Sequence, residues 1–273
     1  MQIDYLSDLH FDNYFRADDF NVETIVKFLK SLFKNKKSDI LLIAGDFGHH
    51  NEQIVFIVEI IRKYFYKYIV CILGNHDYYL INDRISDIYK ANSFERVKEL
   101  RVNLNGIDGV YCLNGNTVEV EGIKFGGCDS WYDGNYLISL FPKRDFSYYS
   151  INEMWKNCLN DYKYIFEVER YDEIFEIELP KIEKVYKECD VMITHINPSI
   201  KIEHAQKKYA RSQATAFFAF NGEEFLKKGS MKYWIYGHTH EKKEYEISGV
   251  KALCNPVGYP HENLHFKLES FEI

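Results

Sequence analysis

Five short apolar runs in this chain each stop, after one intervening residue, at a side chain able to ligate a metal ion: Leu6-Ser-Asp8, Ala44-Gly-Asp46, Leu73-Gly-Asn75, Ile193-Thr-His195 and Tyr236-Gly-His238. Continuous apolar runs of this kind suit strands buried on both faces, as in a parallel sheet covered by helices. In such sheets ligands bind beyond the carboxyl ends of the strands. Residues spread along most of the chain would therefore converge on one crevice. The wider motifs around them are Asp8-Leu9-His10, Gly45-Asp46, Gly74-Asn75-His76-Asp77, Thr194-His195 and Gly237-His238-Thr239-His240.

The first half alternates strands with helices. A strand over Ile3 to Leu6 precedes an amphipathic stretch in which Val22, Ile25, Val26, Leu29, Leu32 and Phe33 recur at helical spacing behind an Asn21 cap. Residues 39–44, a helical pattern over 52–66 and residues 68–73 continue a β-α-β alternation that predicts a mostly parallel arrangement. After Arg101, segments 109–113, 117–121 and 123–126 are separated by Asn-Gly and Glu-Gly turn signals and predict antiparallel strands. Residues 135–187 are rich in aromatic and charged side chains, helical in part over 152–158 and 174–186, and carry no motif of their own. They predict an insertion that caps or flanks the site, within one domain spanning 1–273. The core resumes with a strand over 190–194, a loop and helix from Asn197 to Lys228, a strand over 232–236, and closing strands near 245–247, 250–253 and 264–271.

Composition narrows the class. Of 273 residues, 46% are hydrophobic and 27% charged, which is ordinary for a soluble globular protein. The net charge of −7 argues against a protein that coats duplex DNA, because that affinity is built on many Lys and Arg contacts to phosphate. No stretch approaches the roughly 18 consecutive apolar residues of a membrane span. The first residues carry Asp4 and Asp8 rather than the basic and then apolar regions of a secretion signal. Six cysteines without C-x-x-C spacing predict reduced, mostly buried thiols. The expectation is a cytoplasmic protein with no membrane partner.

The candidate ligands are oxygen and imidazole nitrogen without thiolate, a set that favours Mn, Fe, Zn, Ni or Co over soft-metal sites and all-oxygen cages. They are too many for one ion, so two divalent cations are expected, with Asp46 as the candidate bridge. A bridging carboxylate between cations roughly 3.5 to 4 Å apart is how two-metal phosphoesterases activate a water and stabilise the pentacoordinate phosphorus. Gly45, Gly74 and Gly237 each precede a candidate ligand, where a sharp turn and a bare backbone are useful. His76 lies between Asn75 and Asp77 and need not be a ligand. It is the candidate general acid for the leaving alkoxide, with Asp77 fixing its tautomer.

In this order, Asp8-x-His10, Gly45-Asp46, Gly74-Asn-His-Asp77, His195 and Gly237-His-x-His240 resemble the calcineurin-like metallophosphoesterase superfamily. The resemblance runs from residue 8 to residue 240. It implies an α/β fold of four layers, an α/β/β/α sandwich with a dinuclear centre between the sheet edges. It also implies that Asp8, His10, Asp46 and His240 hold the first metal and that Asp46, Asn75, His195 and His238 hold the second, with Mn favoured. Cys254-Asn-Pro-Val-Gly-Tyr259 is similar to an Asn-Pro-x-Gly-Tyr stretch of small bacterial members. One position departs from the pattern: most relatives carry Asp three residues after the bridging Asp, and here that place is His49. His49 is therefore expected behind the ligands or pointing into the cleft. Purple acid phosphatases, which have Tyr there, lack a counterpart of His10. The protein phosphatase branch shows Arg before Gly-Asn-His-Glu, where this chain has Leu73 before Gly74 and Asp77 after His76.

The function implied is hydrolysis of a small phosphorylated substrate, more a phosphodiester or nucleotide than a monoester, with a metal-bridging hydroxide as nucleophile. A nuclease acting on DNA or RNA ends and a metal-poor binding scaffold are the alternatives, and nucleic acid is not the favoured partner. Trp131, with Tyr132 and Asp133, is the candidate wall of a substrate pocket. Arg211, with Arg144, Lys207 and Lys208, is the candidate phosphate clamp. His204, His261 and His265 lack a partner pattern and are assigned structural roles.

Overall fold

The computed structural model describes residues 1–262 and 265–273. Its strands in chain order are β1 (Gln2–Leu6), β2 (Ile40–Ala44), β3 (Tyr68–Ile72), β4 (Val110–Cys112), β5 (Asn116–Val120), β6 (Ile123–Gly127), β7 (Val191–Ile193), β8 (Tyr233–Tyr236), β9 (Lys243–Ile247), β10 (Val250–Cys254) and β11 (Glu269–Glu272). The α-helices are α1 (Val22–Leu32), α2 (Asn51–Tyr64), α3 (Asp83–Ile88), α4 (Ser93–Asn105), α5 (Asn135–Leu140), α6 (Tyr148–Cys158), α7 (Asp161–Tyr164), α8 (Glu173–Val185) and α9 (Glu223–Lys228).

Two sheets result. The first has the order β11-β1-β2-β3-β4 and the second β5-β6-β7-β8-β10-β9. Within the first, β1 to β4 are parallel and β11 is antiparallel to β1. In the second, β6, β7, β8 and β10 are parallel, flanked by antiparallel β5 and β9.

The two-residue period of a strand explains the layering. Ile40, Leu42 and Ala44 of β2 share a buried layer with Val70, Ile72, Phe125, Val191, Ile193 and Ile235, drawn from both sheets. The alternate residues Leu41 and Ile43 belong instead to the cluster holding Ile25 and Leu29 of α1 and Ile57 and Ile61 of α2. On the far side α8 packs on β5 and β6, and α9 on β9. The outcome is helices, sheet, sheet, helices.

Register sets up the site. Ala44 lies opposite Ile72, and Leu6 opposite Ile43. Ile193 lies opposite Ile235, and Tyr236 opposite Cys254. Neighbouring strands thus run out together. A bridge between Ser7 and Pro256 stitches the end of β1 to the end of β10.

Two expectations are corrected. β4 is parallel to β3 in the first sheet, because the α3–α4 crossover returns the chain in the same direction; only β5 and β6 form the antiparallel pair. The closing strand is Glu269–Glu272, and Leu264, where it was expected to begin, lies outside the described residues. The loop and helix expected from Asn197 to Lys228 are present, with short 3-10 turns over Ile202–His204 and Gln213–Phe217 leading to α9 at Glu223. Asn21 does cap α1, accepting from Thr24 N at 3.0 Å. Residues 135–187, expected to be an insertion, hold α5, α6, α7 and α8.

Phe125 is fully buried in the layer between the sheets. Phe125→Ala should lower unfolding stability by about 3 to 5 kcal/mol, measured as a fall in the urea midpoint at unchanged slope.

Candidate metal centre

The strands end where the candidate ligands begin, and the backbone there turns abruptly. Asp8, His10, Asp46, His238 and His240 all have positive φ, between 40° and 67°. Left-handed backbone at non-glycine residues is sparsely populated and persists where the surroundings enforce it. Here the enforcement is backbone hydrogen bonding: Asp8 N donates to Gly45 O, His10 N to Asp46 O, and Gly237 N to His195 O. Gly74 is required by close packing. A Cβ there would stand 2.2 Å from Asp46 Oδ1 and 2.7 Å from His195 Cε1, so the bare backbone makes room for neighbouring side chains.

Two clusters form, and Asp46 belongs to both. Ligating atoms of Asp8, His10, Asp46 and His240 all lie within 4.8 Å of one another, as do those of Asp46, His195 and His238. Asn75 Oδ1 joins the second, 3.1 Å from His195 Nε2 and 3.1 Å from His238 Nδ1. Asp8, His10 and His195 are fully buried, and Asp46 nearly so.

Outer partners settle which imidazole nitrogen faces inward. His195 Nδ1 is 2.8 Å from Ala44 O, which frees Nε2. His238 Nε2 is 3.2 Å from Phe217 O, which frees Nδ1. His240 Nδ1 is 2.6 Å from Glu262 Oε2, leaving Nε2 at 3.0 Å from His10 Nε2. Second contacts of this kind orient metal-binding histidines. Converging lone pairs of carboxylate, amide and neutral imidazole, without thiolate, are the donor set that Mn, Fe, Zn, Co and Ni accept.

The model of the calcineurin-like phosphoesterase family matches residues 1–242. This chain belongs to the calcineurin-like phosphoesterase family. A protein of Acanthamoeba polyphaga mimivirus is 24% identical, over 96% of this chain and 92% of its own. The crystal structure of phosphopantetheinyl hydrolase from Mycobacterium tuberculosis superposes with a TM-score of 0.74 at 15% identity, covering 99% of this chain and 95% of that one. That likeness concerns the fold. Family membership implies metal-dependent phosphoester hydrolysis and divalent metal cofactors.

Around the phosphoesterase centre, one sequence expectation about His76 is revised. Asp77 does not touch the imidazole: its carboxylate accepts from the backbone N–H groups of Gly74, Asp46, Phe47 and Gly48 at 2.8 to 3.2 Å. It ties the turn after β2 to the turn after β3. His76 Nδ1 instead faces His49 Nε2 at 3.0 Å, and His49 Nδ1 meets Asp12 Oδ2 at 2.8 Å. A second histidine and a more distant aspartate thus occupy the place expected for one carboxylate.

Two other expectations fail for reasons of packing. Trp131 and Tyr132 are 1% and 0% exposed, and Trp131 packs on Tyr78, so they belong to the core and form no pocket wall. Arg211 is exposed and lines an outer groove with Tyr136, Ile200 and Glu223, away from the clusters. His204 stacks on Tyr245 at 3.8 Å, and Arg144 lies over Phe146.

Reading the sequence missed Asp12, Arg96, Asp161 and Glu262. Arg96 had a signal, since it sits on the apolar face of α4 with Val97, Leu100 and Leu104. Fully buried, its guanidinium donates to the carbonyls of His76, Tyr79 and Gly48 at 2.7 to 3.0 Å. Asp161 reaches Asn75 from the 135–187 segment. Neither it nor Glu262 has a local pattern that marks it.

The electrostatics are those of a site built for cations. Burial disfavours charge on Asp46, yet His195 and the other imidazoles hold its carboxyl well below the usual range. Burial pushes His10 and His238 down to about 3. Against burial, Asp46 lifts His195 to about 10. In metal-free protein, acidification below about 6.5 would protonate His10 and His238 in the unfolded chain but not in the folded one. Stability should then fall as pH drops toward the folded values. Asp77, raised to about 7 by burial and by Asp46, takes up one proton in the folded state and offsets part of this. The contribution of His238 is isolated by substitution: the change in thermal unfolding midpoint of metal-free protein from pH 7 to pH 5 should be less destabilising in His238→Phe than in unsubstituted protein.

Proposed function

We propose that this phosphoesterase hydrolyses a small phosphodiester or nucleotide-type substrate with two divalent cations, Mn2+ favoured, and His76 as general acid. Asp8, His10, Asp46 and His240 would hold one cation, and Asp46, Asn75, His195 and His238 the other. The single observation that supports this reading most is that one carboxylate, Asp46, belongs to both ligand clusters. What the pair supplies when bound is an activated water and neutralisation of phosphoryl charge.

The chain's own groups supply the rest. His76 N donates to Asp46 Oδ1 at 2.9 Å, which sets the acid beside the bridging carboxylate. Its Nδ1 is taken by His49, so Nε2 is the free nitrogen, and a proton there for the departing alkoxide would make the ring an imidazolium, a form that burial disfavours and Asp46 favours. Asp12 accepts from His49 Nδ1–H, which makes His49 Nε2 an acceptor and His76 Nδ1 a donor. Arg96 fixes the carbonyl of the same residue. The proposed location is the cytoplasm, supported by six free cysteines, five of them buried. No helix among the described residues is long and apolar enough to cross a membrane.

The test is Mn2+ reconstitution followed by a screen of nitrophenyl phosphomonoester, bis-nitrophenyl phosphodiester and nucleotide substrates, with phosphopantetheinyl compounds included because of the mycobacterial structural neighbour. Asp46→Asn and His238→Ala should abolish turnover, and chelation should do so reversibly. Turnover that survives all three sinks the reading; hydrolysis of monoesters alone sinks its diester part. His76→Ala should lower kcat about 10²- to 10⁴-fold. His49→Ala should lower kcat about 10-fold or more with little change in KM, and unchanged turnover removes His49 from the acid.

A further inference from the structure

The amide of Asn75 differs from every other candidate ligand in one respect. An imidazole or carboxylate presents a lone pair wherever its free atom points, but an amide has an oxygen on one side and a donor NH2 on the other. Rotated by half a turn, Asn75 would offer N–H groups to the cation. Something outside the cluster must choose.

We propose that Asp161, carried by the 135–187 segment, is the positioning residue that holds the Asn75 amide oxygen toward the second metal position. The inference rests on the reading of Asn75 as a ligand given above. Asp161 opens α7 and is fully buried. Its Oδ1 accepts from Asn75 Nδ2 at 2.8 Å. Tyr79 O–H donates to the same oxygen, and Tyr132 O–H donates to Oδ2 at 2.6 Å. Every partner of the carboxylate is a donor, so only the NH2 face of Asn75 can meet it.

The remaining contacts close off the alternative. Tyr79 Oη, its hydrogen committed to Asp161, accepts the second N–H of Asn75 at 3.0 Å. Tyr132 Oη, its hydrogen also committed, accepts from Trp155 Nε1 of α6 at 2.6 Å. Both Asn75 N–H groups are thereby used, and Oδ1 is turned toward His195 Nε2 and His238 Nδ1. A flipped amide would set its carbonyl oxygen against the buried Asp161 carboxylate and would turn its NH2, which has no lone pair to give a cation, toward the second metal position. The segment therefore acts on the metal centre itself, through α6 and α7, and is more than a cover for it.

The experiment is titration of the full-length metal-free protein with Mn2+, read by calorimetry for stoichiometry and by electron paramagnetic resonance for the spin coupling of a metal pair. Unsubstituted protein should bind two ions, and Asn75→Ala should lose the second; if either fails, the ligand reading is wrong, independently of Asp161. Asp161→Ala should weaken the second ion about 10- to 100-fold, the usual cost of losing an outer partner of a ligand, and leave the first unchanged. Combining Asp161→Ala with Asn75→Asp should restore the second affinity, because a carboxylate needs no orienting. If Asp161→Ala does not fold, the near-isosteric Asp161→Leu, which has no acceptor, carries the same comparison. Retention of both affinities on removal of the Asp161 carboxylate overturns the proposal. So does equal loss at both positions without rescue by Asn75→Asp, which would mark a purely structural role.

Discussion

The Asp46 carboxylate has lost its water, and most of the site is organised by that fact. At 1% exposure a lone carboxylate would be strongly disfavoured unless charge or hydrogen bonds replaced the solvent. Here the replacement comes from His10 at 3.6 Å, His195 at 3.4 Å and the backbone N–H of His76. These partners come from the ends of β1, β3 and β7, so a single desolvated group draws both sheets to one point. In the metal-loaded protein the compensation would pass to cations, which explains an otherwise costly collection of buried acids and imidazoles.

Holding that collection costs backbone strain, and the fold concentrates it. Five candidate ligands sit in left-handed conformation, each at the end of a strand whose own hydrogen bonds are regular. Strand regularity up to the last residue and a forced turn immediately after are two parts of one device. Asp77 completes it: four backbone N–H groups from two turns converge on its carboxylate, and Arg96 clamps the carbonyls of the same turns. The metal-facing residues are thus positioned by charged groups that never reach the cleft.

Much of this was legible beforehand because strand and ligand are adjacent in sequence. An apolar run followed at once by Gly-Asp or Gly-Asn-His-Asp carries both its burial and its chemistry locally, so the strand ends of β1, β2, β3, β7 and β8 could be found without knowing what lies beside them. Errors arose where meaning depended on a distant partner. β4 looked like its antiparallel neighbours because turn signals report that a chain reverses, not which sheet it then joins. Trp131 and Asp77 were misread because a loop aromatic and a carboxylate beside a histidine look the same whether they face a cleft or the interior. Asp12 and Asp161 were invisible because what makes them matter is a contact with His49 and with Asn75, residues 37 and 86 positions away in the chain.

By itself, then, the order of residues determined the layered α/β class, the family and the set of candidate metal-binding side chains, since these follow from hydrophobic period and from ligand types at strand ends. Tertiary structure alone decided which nitrogen of each imidazole faces inward, which way the Asn75 amide points, and that His49 with Asp12, rather than Asp77, meets His76. The reason is physical: tautomer and amide orientation are chosen by the group on the far side, and in this protein that group almost always comes from another part of the chain.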